Sequence, residues 1–188
     1  MNAPIQETKR VLAIDPISKG FGFAILESPT ALTDWGVKHA SGDRDHRNRK
    51  CLEQVSKLIA RYQPEVLVVE RSTAKGCRRR LRARQLIEGL LALALAHGLR
   101  SKRISRRSVQ RCFSPEGFAT KRQIAVALAV RFPELEPHLP PNRKCHMSED
   151  ERMSIFDAVA FGYASYASWR RESRALSLLS RETPSSHD

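Results

Sequence analysis

Three acidic residues interrupt apolar surroundings, where an unpartnered carboxylate is costly. Asp15 closes the run Val11-Leu12-Ala13-Ile14, and Glu70 closes Val66-Leu67-Val68-Val69. Asp157 stands between Phe156 and Ala158-Val159-Ala160. Read alone, Asp15 could equally cap the Pro16-Ile17-Ser18-Lys19-Gly20 turn that follows it. Taken together, the three suit a hard divalent cation such as magnesium, which prefers oxygen ligands and is often held by few carboxylates plus substrate phosphates. A pair of such ions can activate a water and stabilise the leaving oxygen of a phosphodiester.

The elements that carry these acids follow from the hydrophobic pattern. Val11 to Ile14, then Phe21, Phe23 and Ile25, read as a hairpin, and Leu32 to His39 as a third strand. A helix is expected from about Asp45 to Tyr62, stopped at Gln63-Pro64. Glu65 to Glu70 reads as a strand buried on both faces. A Leu-rich helix from about Arg79 to His97 ends at Gly98. A strand over 100–104, a helix over 106–113 and a helix over 121–132 capped by Thr120 come next. Pro133, Pro137, Pro140 and Pro141 mark a stiff connection. The last helix is expected from Ser148, with Glu151 completing a capping box, to about Trp169. A meander, a helix and then a buried strand let the first and fourth strands lie side by side in parallel. Asp15 and Glu70 would then meet at one sheet edge, with Asp157 brought over it.

The charge points to a polyanionic partner. The chain of 188 residues carries a formal net charge of +13, with a pI near 10.3. Between Arg71 and Arg111 there are 13 basic residues and one acid, Glu88. A solvated face usually mixes signs, so this block reads as a nucleic-acid surface. Its members closest to Glu70 are Arg71, Lys75, Arg78, Arg79, Arg80, Arg82 and Arg84, with Arg106 and Arg107 further on. No aromatic sits in the block, so backbone or shape recognition is favoured over base stacking. Phe21, Phe23 and Trp35 read as core.

The four cysteines are scattered, with no Cys-x-x-Cys pair, which favours free thiols in a reducing compartment. Cys145-His146 with His138 nearby offers too few ligands for a zinc site. Met1-Asn2-Ala3-Pro4 lacks the layout of a secretion signal, and Leu86 to Leu99 is too short to span a bilayer. A soluble, cytoplasmic protein without a membrane partner is expected.

Ile14-Asp15-Pro16-x-Ser18, Val69-Glu70 and Asp157-Ala158-Val159-Ala160 resemble the three acidic motifs of RuvC-type Holliday junction resolvases, within the RNase H-like/retroviral integrase superfamily. The resemblance covers roughly residues 9 to 168. It implies an α/β, RNase H-like fold, a mixed five-stranded sheet of order 3-2-1-4-5 flanked by helices. It implies Mg2+ or Mn2+, two ions per site, held by Asp15, Glu70 and Asp157, and a homodimer that makes paired nicks in branched DNA. Lys121 falls where the family places a basic residue, and would stabilise charge at the cut phosphate. The implied organisation is a flexible N-terminus over 1–8, a nuclease domain over 9–169 and a basic, disordered tail over 170–188.

The chain departs from the family pattern at several points. Ile17 stands where a Gly is usual, and Ser154 where a fourth acid or a His often stands. Asp150, two helical turns before Asp157 on the expected helix, could compensate. The loop after Glu70 is more basic than usual. The alternatives are an RNA-processing or single-strand nuclease on the same fold, or a nucleic-acid-binding module without catalysis. An actin-like ATPase lacks support, since a second Asp-Gly-rich phosphate loop is missing.

Overall fold

The structure, a computed structural model, describes residues 9–71, 81–142 and 150–179. The expected meander is present as β1 (Val11–Ile17), β2 (Gly20–Ser28) and β3 (Ala31–His39). Helix α1 (Arg44–Tyr62) follows, opened by Asp43, whose side chain accepts from the His46 N–H. Next come β4 (Val66–Glu70), α2 (Leu81–Ala96) and β5 (Arg100–Ile104). Gly98 ends α2 in the left-handed region, φ 69°. There its N–H donates to Leu95 and that of Leu99 to Ala94, the pairing that a glycine C-cap makes. Helices α3 (Arg106–Phe113), α4 (Lys121–Arg131) and α5 (Met153–Leu179) complete the chain. Thr120 caps α4 in a reciprocal box with Gln123, as its sequence requires.

The strands form one sheet of order β3-β2-β1-β4-β5. β1 runs antiparallel to β2 and parallel to β4, and β4 runs parallel to β5. This is the RNase H-like arrangement that the sequence led us to expect.

Side-chain alternation divides the sheet into two cores. Leu12, Ile14, Phe21, Phe23, Ile25, Leu67 and Val69 pack under α1 and α2. Val11, Ala13, Ala24, Leu26, Val66 and Val68 pack on the opposite face with α3, α4 and α5. Continuing each alternation by one step puts Asp15 and Glu70 on the α5 face. The parallel register pairs Ile14 with Val69, so these two acids are the next neighbours across the strands. Phe21 and Phe23 are core, as expected, and Trp35 is half-buried.

The last helix differs from expectation at both ends. It begins at Met153 rather than Ser148 and runs to Leu179, past Trp169. Residues 150–152 form a turn that feeds it, with the Met153 N–H donating to the Asp150 carbonyl. Ser148 itself lies outside the described residues, as do residues 1–8 and 180–188. Gly89 on α2 makes room for α1: a Cβ there would stand 3.1 Å from Leu52. No helix among the described residues is long and apolar enough to cross a membrane.

Candidate active site

Asp15, Glu70 and Asp157 come from segments far apart in the chain and are 2%, 3% and 6% exposed. The acids of β1 and β4 stand near the carboxyl ends of parallel neighbours, where open α/β sheets place their ligands. Asp157 reaches that end from α5, whose first turns are buried on nearly every side. Gly22, paired with Asp15 across β1 and β2, lets the helix approach: a Cβ there would lie 2.5 Å from the Ser154 backbone. Gly162 does the same further along α5, beside Leu26 and Ala13.

Three buried carboxylates are tolerable only with compensating charge, and two cations supply it. The guanidinium of Arg106 touches all three acids. Its Nε is 3.0 Å from Glu70 Oε1, its Nη1 is 3.0 Å from Asp157 Oδ1, and its Nη2 is 4.0 Å from Asp15 Oδ1. Nη2 also donates to Asp157 Oδ2 at 3.3 Å. Lys121, at the first position of α4, places Nζ 2.6 Å from Asp157 Oδ2. Burial pushes the Asp157 carboxyl upward, yet Lys121 and then Arg106 outweigh it and hold the group below the usual carboxylate range. Burial likewise opposes the Arg106 charge, and Asp157, Glu70 and Asp15 together raise its pKa instead.

The four residues expected at the site, Asp15, Glu70, Asp157 and Lys121, are therefore brought together. Arg106 was expected on a nucleic-acid surface and is found among the carboxylates. No local signal foretold this: it depends on the pairing of Glu70 with Ile104 across β4 and β5, after which Arg106 follows two residues later as α3 begins. Arg106, Gln110, Lys121 and Asp157 line a cavity of about 60 Å3 between α3, α4 and α5.

The residues offered as completing the ligand set are otherwise engaged. The Ser154 hydroxyl donates to the Glu151 carbonyl at 2.6 Å. Asp150 precedes the helix rather than lying on it, and its carboxylate accepts from the Arg152 guanidinium at 2.7 Å.

The basic block divides into outward- and inward-facing arginines. Arg71, Arg84 and Arg107 are exposed. Arg82 is turned inward, which corrects its expected place on the DNA-facing surface. It donates to the carbonyl of Ile17, to that of Gly20 at 3.2 Å and to Asn48 Oδ1 at 2.7 Å, and so ties the β1–β2 turn to α1 and α2. Lys75, Arg78, Arg79 and Arg80 lie outside the described residues. Beside the site a groove of about 430 Å3 is lined by Arg71, Lys102, Arg103, Arg111 and Arg171.

The donor set suits a hard divalent cation: carboxylate oxygens at a buried spot that already draws positive charge. Among the described residues, no three His, Cys, Asp or Glu side chains converge closely enough to hold an ion as they stand. The Arg106 guanidinium lies among the acids.

The chain is 28% identical, over 119 residues, to the crossover junction endodeoxyribonuclease RuvC of Methylococcus capsulatus, covering 61% of this chain and 72% of that relative. Its fold matches RuvC of Thermus thermophilus at a TM-score of 0.64 and 17% identity, covering 86% of this chain and 96% of that one. The Thermus protein solved with a Holliday junction substrate matches equally, at 0.64 and 18% identity, with the same coverage. The yeast mitochondrial Holliday junction resolvase matches at 0.58 and 18% identity, over 90% of this chain and 82% of that one. No family model matches the chain. The resemblance to RuvC-type resolvases thus holds in sequence and in fold.

Proposed function

We propose that this chain is a metal-dependent, structure-selective endodeoxyribonuclease that cuts branched DNA such as Holliday junctions, acting as a homodimer. The observation that carries the reading is the meeting of Asp15, Glu70 and Asp157 around one cation, from two parallel strands and the final helix. Its relatives by sequence and fold are junction endonucleases, which supports the same chemistry here.

Asp15, Glu70 and Asp157 would hold Mg2+ or Mn2+, two ions on this reading. Such ions supply an activated water and stabilise the leaving oxygen of the phosphodiester. On the resemblance to RuvC-type resolvases, Asp15 would be the ligand that serves both. Lys121 keeps an ammonium at the rim of the cluster, 32% exposed, where charge gathering on a cut phosphate can be met. The apolar walls from Phe156, Ala160 and Phe161 lower the local dielectric and strengthen that interaction.

The exposed Arg71, Arg84 and Arg107, with the groove beginning at Arg71, supply a cationic approach for phosphate backbones. Cys51 and Cys112 are free thiols, which supports a reducing, cytoplasmic setting.

The test is incubation of the purified chain with labelled four-way junctions, flaps, duplex, single-stranded DNA and RNA, with Mg2+ or Mn2+ against EDTA. Metal-dependent cleavage confined to junctions is expected. Cleavage of RNA alone would replace the DNA substrate, and junction binding without cleavage would make the chain a binding module.

A further inference from the structure

Arg106 does more than neutralise. Metal ligands sharing one Mg2+ sit about 2.1 Å from it, so no two of their oxygens can be more than about 4.2 Å apart. Arg106 sits among the three carboxylates, with Nε on Glu70, Nη1 and Nη2 on Asp157 and Nη2 4.0 Å from Asp15, and among the described residues the acids form no ready three-ligand cluster. Charge tells the same story. The three acids carry a formal −3 and Arg106 with Lys121 +2, so the metal-free cluster is close to balanced. A divalent ion added on top of both cations would reverse its sign, and a second would leave a strongly positive pocket.

Resting on the reading of the site as a metal centre, we infer that Arg106 is an internal stand-in for the metal. Its guanidinium positions Asp15, Glu70 and Asp157 when no ion is bound, and must leave the carboxylates for divalent ions to enter. Arg106 thereby sets the affinity of the site for metal. It is a positioning residue for the ligands rather than one of them.

The local structure allows the exchange. Arg106 is at the first position of α3, and the helix start is secured independently by Ser105, whose side chain accepts from the Ser108 N–H. The Arg106 side chain is 43% exposed, which leaves it a path toward solvent. It also lies over the face of Phe161, 5.6 Å from the ring centre, a weak hold at a partly exposed position. Lys121 approaches Asp157 from the α4 side and can stay when the ions arrive.

The experiment is calorimetric titration of the metal-free chain with MnCl2, without DNA, for the wild type, Arg106→Gln and Arg106→Lys, alongside thermal melts in EDTA and in saturating Mn2+. If Arg106 competes with metal, Arg106→Gln binds Mn2+ about tenfold or more tightly than wild type, because the competing state is gone. The same variant melts roughly 5 °C or more lower in EDTA, since three carboxylates lose their counter-ion, and recovers most of that difference in Mn2+. Arg106→Lys, which cannot fork, shifts affinity in the same direction by less and remains testable if the Gln variant does not fold. Equal or weaker Mn2+ binding by Arg106→Gln overturns the inference, as does an equal loss of stability with and without Mn2+. Junction cleavage that survives those outcomes would leave the nuclease reading standing. Failure of Mn2+ to bind any of the three proteins would overturn both.

Discussion

The ammonium of Lys121 stands 2.6 Å from Oδ2 of Asp157, joining the start of α4 to a buried carboxylate on α5. Both termini of this contact are fixed, one by the Thr120–Gln123 capping box and the other by packing. Removing the ammonium should cost charge stabilisation at the phosphate with little loss of DNA contact. Lys121→Ala is therefore expected to slow single-turnover junction cleavage by about 10²–10³-fold, while junction affinity measured by gel shift changes little. A loss of binding as large as the loss of rate would place Lys121 in the DNA interface instead.

Arg82 and Arg107 look alike in the sequence and should behave in opposite ways. Arg82→Ala leaves the Ile17 and Gly20 carbonyls and Asn48 without their donor, at a cost of about 1–3 kcal/mol. Its melting temperature should fall by roughly 2–10 °C, with an unchanged salt slope of binding. Arg107→Ala should keep its melting temperature and reduce the slope of log affinity against log salt by about one. Reversal of these two results would show that the inward and outward assignments are wrong.

The α5–sheet contact near the site depends on two glycines whose replacement is unequal. At Gly22 an added Cβ meets Ser154 backbone atoms at 2.5 Å, which cannot yield without moving the helix that carries Asp157. At Gly162 it meets the end of the Leu26 side chain at 2.6 Å, which can rotate. Gly22→Ala should therefore destabilise by about 3 kcal/mol or more and weaken cleavage, and Gly162→Ala by about 1 kcal/mol. Chemical denaturation of the two variants decides it; similar costs would mean that helix and sheet adjust freely.

Much of the scaffold was legible because its signals are local. The β-branched run before Glu70, the Thr120 cap and the Gly98 stop each fix an element by short-range physics. Alternation along β1 and β4 then settles which face Asp15 and Glu70 share. Arg106 and Arg82 were misplaced for a different reason. An arginine has the same letter whether it meets phosphate, a buried carboxylate or a strand-end carbonyl, and only tertiary neighbours decide. Neither the Glu70–Ile104 register that aims Arg106 nor the β1–β2 turn above Arg82 is written in local sequence. The start of α5 differs because Glu151 sits in a turn ahead of the helix, its carbonyl accepting from the Ser154 hydroxyl.

The central claim is that the three carboxylates act together on a phosphodiester through divalent ions. Asp15→Asn keeps the shape of the side chain and removes its charge, so the most direct measurement is its junction cleavage in Mg2+ beside its junction affinity. The account predicts a rate lower by about 10³-fold or more, roughly 4 kcal/mol of lost transition-state stabilisation, with affinity within about threefold of wild type. Cleavage at a rate close to wild type would contradict it.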